Sequence, residues 1–272
     1  MSHKMGVLIL HGIGSQSEDF AEPMVSEVKR RIDKAGFNSN EIKFRPVHWA
    51  PVLTEKEKAL WRTLSRDNEL DWGKIRKFII CYFADAIAYN QREENDIYKK
   101  IHKIMHDELV ALRKDDFENQ DKPLLLMGHS LGGHIISNYI WDRQKGNESN
   151  IFGSTPLEKM ETLTGIITFG CNIPLFTLVK DPIVSIKFPP NQLAENLKNV
   201  AQWNNFYDSD DVLGYPLKSL SPSYEEAVHK DIQINVGNII TSWNMASHME
   251  YWTDNDFAKQ VAGFLSSILS QI

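Results

Sequence analysis

The sequence predicts an α/β fold: one domain over residues 1–272, built on a mostly parallel sheet. Its length of 272 residues fits a single large α/β domain. Short apolar runs alternate with helical patterns along most of the chain. One apolar run, Leu124–Met127, ends in a glycine-rich turn at residues 128–133, directly before a helical pattern. Strands that alternate with helices favour a parallel sheet covered on both faces.

Six segments have the pattern of strands. They are Val7–Leu10, Ile42–Trp49, Pro123–Met127, Leu163–Phe169, Val200–Tyr207 and Ile232–Val236. Helices are predicted between them and at the C-terminal end, over Phe20–Ala35, Leu131–Arg143 and Asp254–Leu269.

The segment from Pro51 to Lys114 differs from the rest of the chain. It has helical periodicity, many charges and no convincing strand. About 60 residues is far more than a crossover between neighbouring strands needs. We therefore predict a helical insertion at about 51–114, packed on the sheet domain. It either walls a functional site or is a covering layer without a functional role.

Composition limits the partners and the compartment. The net charge of −6 argues against nucleic acid as a partner, because phosphate binding needs a basic face. Cys81 and Cys171 are far apart and no CxxC occurs, which favours a reducing compartment. The N-terminal apolar run is too short for a signal peptide, and the longest apolar stretch, Phe78–Ala88, contains Asp85. We expect a cytoplasmic protein without a transmembrane segment.

The glycine-rich turn points to chemistry. Gly128-His129-Ser130-Leu131-Gly132 fits the pattern G-x-S-x-G between a strand and a helix. Glycines on both sides let strand and helix backbones approach, and the serine hydroxyl then projects beside the helix N-terminus, where negative charge is favoured. Ser130 is therefore the candidate nucleophile. The alternative is a glycine-rich turn that contains an incidental serine.

Four motifs together resemble a known family. HGIGS (11–15), GHSLGG (128–133), YDSDDVLGYPL (207–217) and SHMEYW (247–252) follow one another along nearly the whole chain. The set resembles serine hydrolases of the α/β-hydrolase fold, of the lipase/esterase-like kind. The resemblance implies a doubly wound, mostly parallel sheet, helices on both faces, and a catalytic triad on loops at its C-terminal edge in the order serine, acid, histidine. The helical insertion is not a general feature of that family.

The histidine of the triad has two candidates after the acidic segment. His248 lies between the last strand and the C-terminal helix, where the resemblance places the base, and His229 is the alternative. His129 is expected to point away from the catalytic face. His102 and His106 could together face a metal ion, but HExxH is absent and we interpret them as polar helix positions.

Three carboxylates compete for the role of the acid. Asp211 stands before two apolar residues and a proline-containing loop, which resembles the family's pattern. Asp210 is the second choice, and the alternative role for the two acids that are not catalytic is turn formation after a strand, Asp208 included.

The resemblance also implies two backbone donors for an oxyanion hole. One is the amide of Leu131, after the nucleophile, and the other is the amide of Ile13 in the loop after the first strand. The predicted reaction is hydrolysis of a carboxylic ester, from a small molecule or a lipid, through an acyl-enzyme without metal or cofactor. An acyltransferase, a thioesterase, a peptidase and a non-catalytic binding protein remain alternatives, and the oligomeric state stays open.

Overall fold

A single parallel sheet organises the chain. The computed structural model describes residues 3–13, 16–65, 76, 84–89, 96–145, 153–236 and 247–272. The strands are β1 (Met5–Leu10), β2 (Ile42–Val47), β3 (Leu124–His129), β4 (Leu163–Phe169), β5 (Gln202–Tyr207) and β6 (Lys230–Gln233). They lie in the order β2-β1-β3-β4-β5-β6, and each neighbouring pair is parallel. The order reverses between β1 and β3, so the crevice at their carboxyl ends is the switch point where such sheets bind ligands.

Helices connect the strands. Those with both ends in the described ranges are α1 (Glu22–Lys34), α2 (Pro51–Ser65), α3 (Asp96–Ala111), α4 (Leu131–Lys145), α5 (Ile173–Thr177), α6 (Glu195–Lys198), α7 (Pro222–Ala227), α8 (Ser247–Glu250) and α9 (Asn255–Leu269). Tighter or wider helical turns occur at Ser39–Glu41, Leu112–Asp116 and Lys218–Leu220. Asp254 caps α9, because its carboxylate accepts from the Phe257 amide at 2.7 Å.

The two faces of the sheet carry separate cores. All six residues of β1 and of β3 are buried, so both strands are covered on both faces of the sheet rather than on one. Leu8 and Leu10 join a core with α3 and α4, whereas Val7 and Ile9 join a core with α1 and α9. The predicted doubly wound parallel sheet with helices on both faces is confirmed. No helix in the described ranges is long and apolar enough to cross a membrane.

Three predicted strands end at different residues in the structure: the third extends to His129 instead of Met127, and two others end earlier than predicted. The sixth strand spans Lys230–Gln233 instead of Ile232–Val236, because the Val236 amide donates to the Asp208 carboxylate at 2.7 Å. The second strand ends at Val47 rather than Trp49. Beyond it, the Trp49 amide donates to a side chain, Nε2 of His11, at 3.2 Å. In both places a side chain takes the amide that the strand pattern had assigned to the sheet.

The described parts of the segment 51–114 are helical. Residues 51–65, 84–88 and 96–111 are in helices, and Leu53, Tyr98 and Ile101 are buried in the same core as α4. The Tyr89 hydroxyl lies 2.7 Å from His102 Nε2, and Tyr98 donates to Asp142 of α4 at 2.7 Å. This part of the segment therefore packs on the face of the sheet that α4 covers.

Candidate active site

Ser130 occupies a strained turn between β3 and α4. Its φ is +53°, in the left-handed region, which costs a residue with a side chain about 1–2 kcal/mol. A Cβ at Gly132 would lie 2.6 Å from the Leu10 carbonyl oxygen, and one at Gly128 would lie 2.6 Å from the Gly133 amide nitrogen. Only glycine therefore lets β1, β3 and the first turn of α4 meet, and this contact forces the serine to project from the turn.

The backbone around Ser130 is held to the neighbouring strand. Its amide donates to the Phe169 carbonyl at the end of β4 at 3.0 Å, and its carbonyl accepts from the Gly133 amide at 3.0 Å. The side chain is different: Ser130 is buried, and its Oγ has no hydrogen-bond partner among the described residues. The backbone of Ser130 is thus held in place, while its hydroxyl makes no hydrogen bond within the described residues.

The structure brings the predicted acid and base into contact. His248 Nδ1 lies 2.9 Å from Oδ2 and 3.0 Å from Oδ1 of Asp211, and both residues are buried. Burial opposes a charge on Asp211, but the hydrogen bond and charge of His248 outweigh it and hold the carboxyl pKa below its ordinary value. The carboxylate therefore stays ionised and fixes the imidazole with Nδ1 protonated, which leaves Nε2 as the basic nitrogen.

His248 Nε2 is the basic atom that remains. It is buried and has no hydrogen-bond partner among the described residues, so it does not bond to Ser130 Oγ. Bonds between a nucleophile and its base commonly tighten only when substrate binds. A Cβ placed on Gly170 would lie 3.2 Å from His248 Cε1 and 3.1 Å from Asp211 Oδ2. Gly170 follows Phe169, which accepts from Ser130, so the pair and the serine flank the same strand end.

The other candidates lie in different surroundings. Asp210 is exposed. Asp208 is buried, but its oxygens accept from the amides of Asp210 at 2.9 Å and Val236 at 2.7 Å. His229 is exposed directly before β6, at the opposite edge of the sheet from Ser130. None of the three is placed to orient or use the Ser130 hydroxyl.

The loop after β1 lies against the nucleophile. A Cβ on Gly12 would be 2.7 Å from Ser130 Cβ, so the loop backbone passes directly beside the serine. Ile13 and Leu131 are buried in one core, and Leu131 begins α4, where amides have no acceptor within the helix. Gly14 and Ser15, also part of the HGIGS motif, fall outside the described residues. The two predicted oxyanion donors thus belong to the two loops that meet at the switch point.

His11 fixes this loop to the start of α2. Its Nδ1 donates to the Gly12 carbonyl at 2.7 Å, and its Nε2 accepts from the amides of Trp49 at 3.2 Å and Ala50 at 3.3 Å. Burial lowers the pKa of His11 to about 3. The ring therefore stays neutral, which the two accepted bonds at Nε2 require. No pattern in the sequence had indicated this role for His11.

Two further residues at the base were not predicted as site residues. Nε2 of His129 donates to the His248 carbonyl at 2.6 Å, so the expectation that this side chain points away from the site is wrong. The Tyr251 hydroxyl bonds to Asp211 Oδ2 at 3.1 Å. The spacing i, i+3 between His248 and Tyr251 was the available signal, because residues three apart share one face of a helical turn.

His102 belongs to a buried network rather than to a metal site with His106. Its Nδ1 lies 3.4 Å from Asp142 Oδ2, and burial lowers its pKa, so the ring is neutral. Within the described ranges, no group of three or more His, Cys, Asp or Glu side chains is arranged to hold a metal ion. The network joins α3 to α4.

The chain resembles several solved structures at low sequence identity. No family model and no curated protein matches the chain. A protein of the alpha/beta superfamily from Xanthomonas campestris pv. campestris is 10% identical over 95% of this chain and 98% of its own, with a TM-score of 0.43. Est1E from Butyrivibrio proteoclasticus is 12% identical over 100% and 89%, with a TM-score of 0.43. An extracellular alpha/beta-hydrolase from a Paenibacillus species is 14% identical over 96% and 97%, with a TM-score of 0.38. At these scores the likeness says nothing about activity.

Proposed function

We propose that this protein is a serine hydrolase that cleaves a carboxylic ester through an acyl-enzyme. The observation that carries the proposal is the buried Asp211–His248 pair, 2.9 Å between Oδ2 and Nδ1, at the same sheet edge as a serine with φ of +53°. Burial of a carboxylate and an imidazole is costly unless they are paired, and a left-handed serine adds strain. Both costs are explained if the three groups act together.

In the proposed reaction, His248 Nε2 takes the proton of Ser130 Oγ as the oxygen attacks the ester carbonyl. Asp211 stabilises the imidazolium that forms. The amides of Ile13 and Leu131 donate to the tetrahedral oxyanion, and each such donor contributes about 10²–10³ in rate. His248 then protonates the leaving alkoxide, and a water molecule deprotonated by the same nitrogen releases the acid and regenerates Ser130.

The first experiment is active-site labelling. A fluorophosphonate should modify the wild-type protein at Ser130, identified by mass spectrometry, and should leave Ser130→Ala unmodified. His248→Ala should label far more slowly, because the serine loses its base. His229→Ala is the matched control and should label like the wild type. Equal labelling of Ser130→Ala and wild type would disprove the assignment of the nucleophile.

Turnover tests the reaction itself. With p-nitrophenyl esters, Ser130→Ala and His248→Ala should each lose nearly all activity while their circular dichroism spectra stay unchanged. The double variant should be no worse than either single one, because residues that act as a unit are not additive. Thioesters, amides and alternative acyl acceptors in the same panel separate a thioesterase, a peptidase and an acyltransferase from an esterase. Labelling without turnover of any of them would contradict the proposed hydrolysis.

A further inference from the structure

Tyr251 lies at the centre of the bonds around the acid. It follows His248 by three residues, directly after α8, and it is fully buried. Its hydroxyl oxygen is 3.1 Å from Asp211 Oδ2 and 2.9 Å from the Asp208 amide nitrogen. One short segment of chain therefore presents both an imidazole and a phenol to the same carboxylate.

The two contacts fix the direction of the hydroxyl proton. A backbone amide can only donate, so the Tyr251 oxygen must accept from Asp208. The single hydroxyl proton is then left for Asp211 Oδ2, since an ionised carboxylate can only accept. Burial and the nearby Asp211 charge raise the pKa of Tyr251, so the phenol remains protonated. The bond to the acid is thus always a donated one.

The remaining contacts of Asp211 complete a fixed carboxylate. Oδ1 accepts from the Leu213 amide at 3.0 Å, and both oxygens face His248 Nδ1. Leu213 is part of the loop that carries the acid, whereas Tyr251 is part of the segment that carries the base. Tyr251 is therefore the contact that sets the carboxylate relative to the imidazole, and it also ties that segment to the end of β5 through Asp208.

We propose that Tyr251 is a positioning residue of the acid–base pair. Its hydroxyl orients the Asp211 carboxylate and weakens the electrostatic interaction between that carboxylate and protonated His248. The proposal rests on the function proposed above only in calling the pair catalytic. A donated hydrogen bond stabilises the carboxylate without the help of imidazolium. Without it, Oδ2 interacts more strongly with protonated His248, and the imidazole holds its proton to higher pH.

The test removes one oxygen atom. Tyr251→Phe keeps the buried ring and loses both hydrogen bonds. Tyr139→Phe is the matched control, because Tyr139 is also fully buried and stands on α4 beside Arg143. NMR titration of the His248 ring carbons, assigned by their loss in His248→Gln, should show a pKa raised by about half a unit or more in Tyr251→Phe. Tyr139→Phe should titrate like the wild type.

Kinetics give the second readout. We expect kcat in Tyr251→Phe to fall about three- to tenfold, with KM little changed and with the acidic limb of kcat/KM displaced upward by the same amount as the titration. A wild type without esterase activity would overturn the proposed function, while the titration still decides the role of Tyr251. An unchanged His248 pKa, or one lowered in Tyr251→Phe, would overturn the positioning role, even if the variant melts at lower temperature.

Discussion

His129 and His248 are neighbours in space, joined by a bond from the His129 ring to the His248 backbone. Nε2 of His129 lies 2.6 Å from the His248 carbonyl oxygen, and the ring centroids are 4.6 Å apart. Because His129 directly precedes Ser130, this bond links the backbone of the proposed base to the strand that carries the proposed nucleophile. Burial, followed by the charge of His248, lowers the pKa of His129 well below its ordinary value, so this second ring stays neutral.

The first prediction concerns this bond. His129→Phe removes the donor and leaves a buried carbonyl unpaired, which costs about 1–3 kcal/mol and loosens the base. We expect kcat/KM on p-nitrophenyl esters to fall at least tenfold. His129→Gln is the control, because its amide nitrogen reproduces the position of Nε2, and it should retain most of the activity. Equal rates for the two variants would mean that the bond does not position His248.

The second prediction separates the two buried acids. Asp211→Asn should lower kcat by orders of magnitude, about 10⁴ in a comparable triad, because the imidazole tautomer is no longer fixed. Its melting temperature should change little. Asp208→Asn should show the reverse pattern, since each Asp208 oxygen accepts from a backbone amide and asparagine has only one oxygen. Calorimetry and initial rates should be measured on both variants, with the exposed Asp210→Asn as the control. Activity retained in Asp211→Asn would show that the wrong acid had been chosen.

Local signals in the sequence were sufficient for the sheet and for the turn at Ser130. Continuous apolar runs predict buried parallel strands, and the glycines beside Ser130 are needed wherever strand and helix meet this closely. The direction of His129 depends on a contact distant in sequence. His129 shares the β3 face of Leu125 and Met127, which pack with α1 and α9, and the segment that carries Tyr251 covers that same face. The alternation of side chains along a strand predicts which face of β3 His129 occupies. No short-range pattern predicts that the segment carrying Tyr251 covers that face.

The roles of Tyr251 and Asp208 were missed for a related reason. Both depend on which amide a side chain meets after the chain has folded, such as Val236, 28 residues after Asp208. The sequence identified three acidic residues after a strand and could rank them only by resemblance. The hydrogen bonds of the folded chain distinguish them.

The third prediction concerns stability at low pH. His134 of α4 is buried, stacks on Phe176 with ring centroids 4.0 Å apart, and burial lowers its pKa to about 3. The His134 imidazole is protonated near pH 6.5 in the unfolded chain, but only near pH 3 in the folded chain. The contribution of His134 to the free energy of unfolding is therefore fully present above pH 6.5. It is lost as the pH decreases from about 6.5 to about 3, by up to about 1.4 kcal/mol per pH unit for each such histidine.

Urea unfolding between pH 4 and 7 measures this slope. His134→Gln keeps an acceptor for the Asn138 amide and should reduce the slope by about one proton, so that wild type and variant converge at acidic pH. Exposed His229→Gln should change the slope far less. A slope that is the same in wild type and His134→Gln would show that His134 is protonated in the folded protein.

The last prediction concerns the segment 51–114 and acyl preference. Its first helix, α2, begins beside His11, and Leu53 of α2 is buried in the same core as Ile13 and Leu131. The segment therefore starts at the loops that form the proposed oxyanion hole. If Trp61 on α2 lines the acyl path, Trp61→Ala should lower kcat/KM for long p-nitrophenyl esters more than for short ones. Each methylene no longer buried costs about 0.8 kcal/mol, so a few carbons change the preference by one or two orders of magnitude.

Leu60→Ala, which removes an exposed apolar side chain from the same helix, is the control. Trp72 and Phe83, which lie outside the described residues, can be replaced by alanine in the same series. A chain-length profile that all three variants share with the wild type, with only a lower melting temperature, would make the segment a scaffold, because a wall of the acyl path cannot be removed without changing which chains fit.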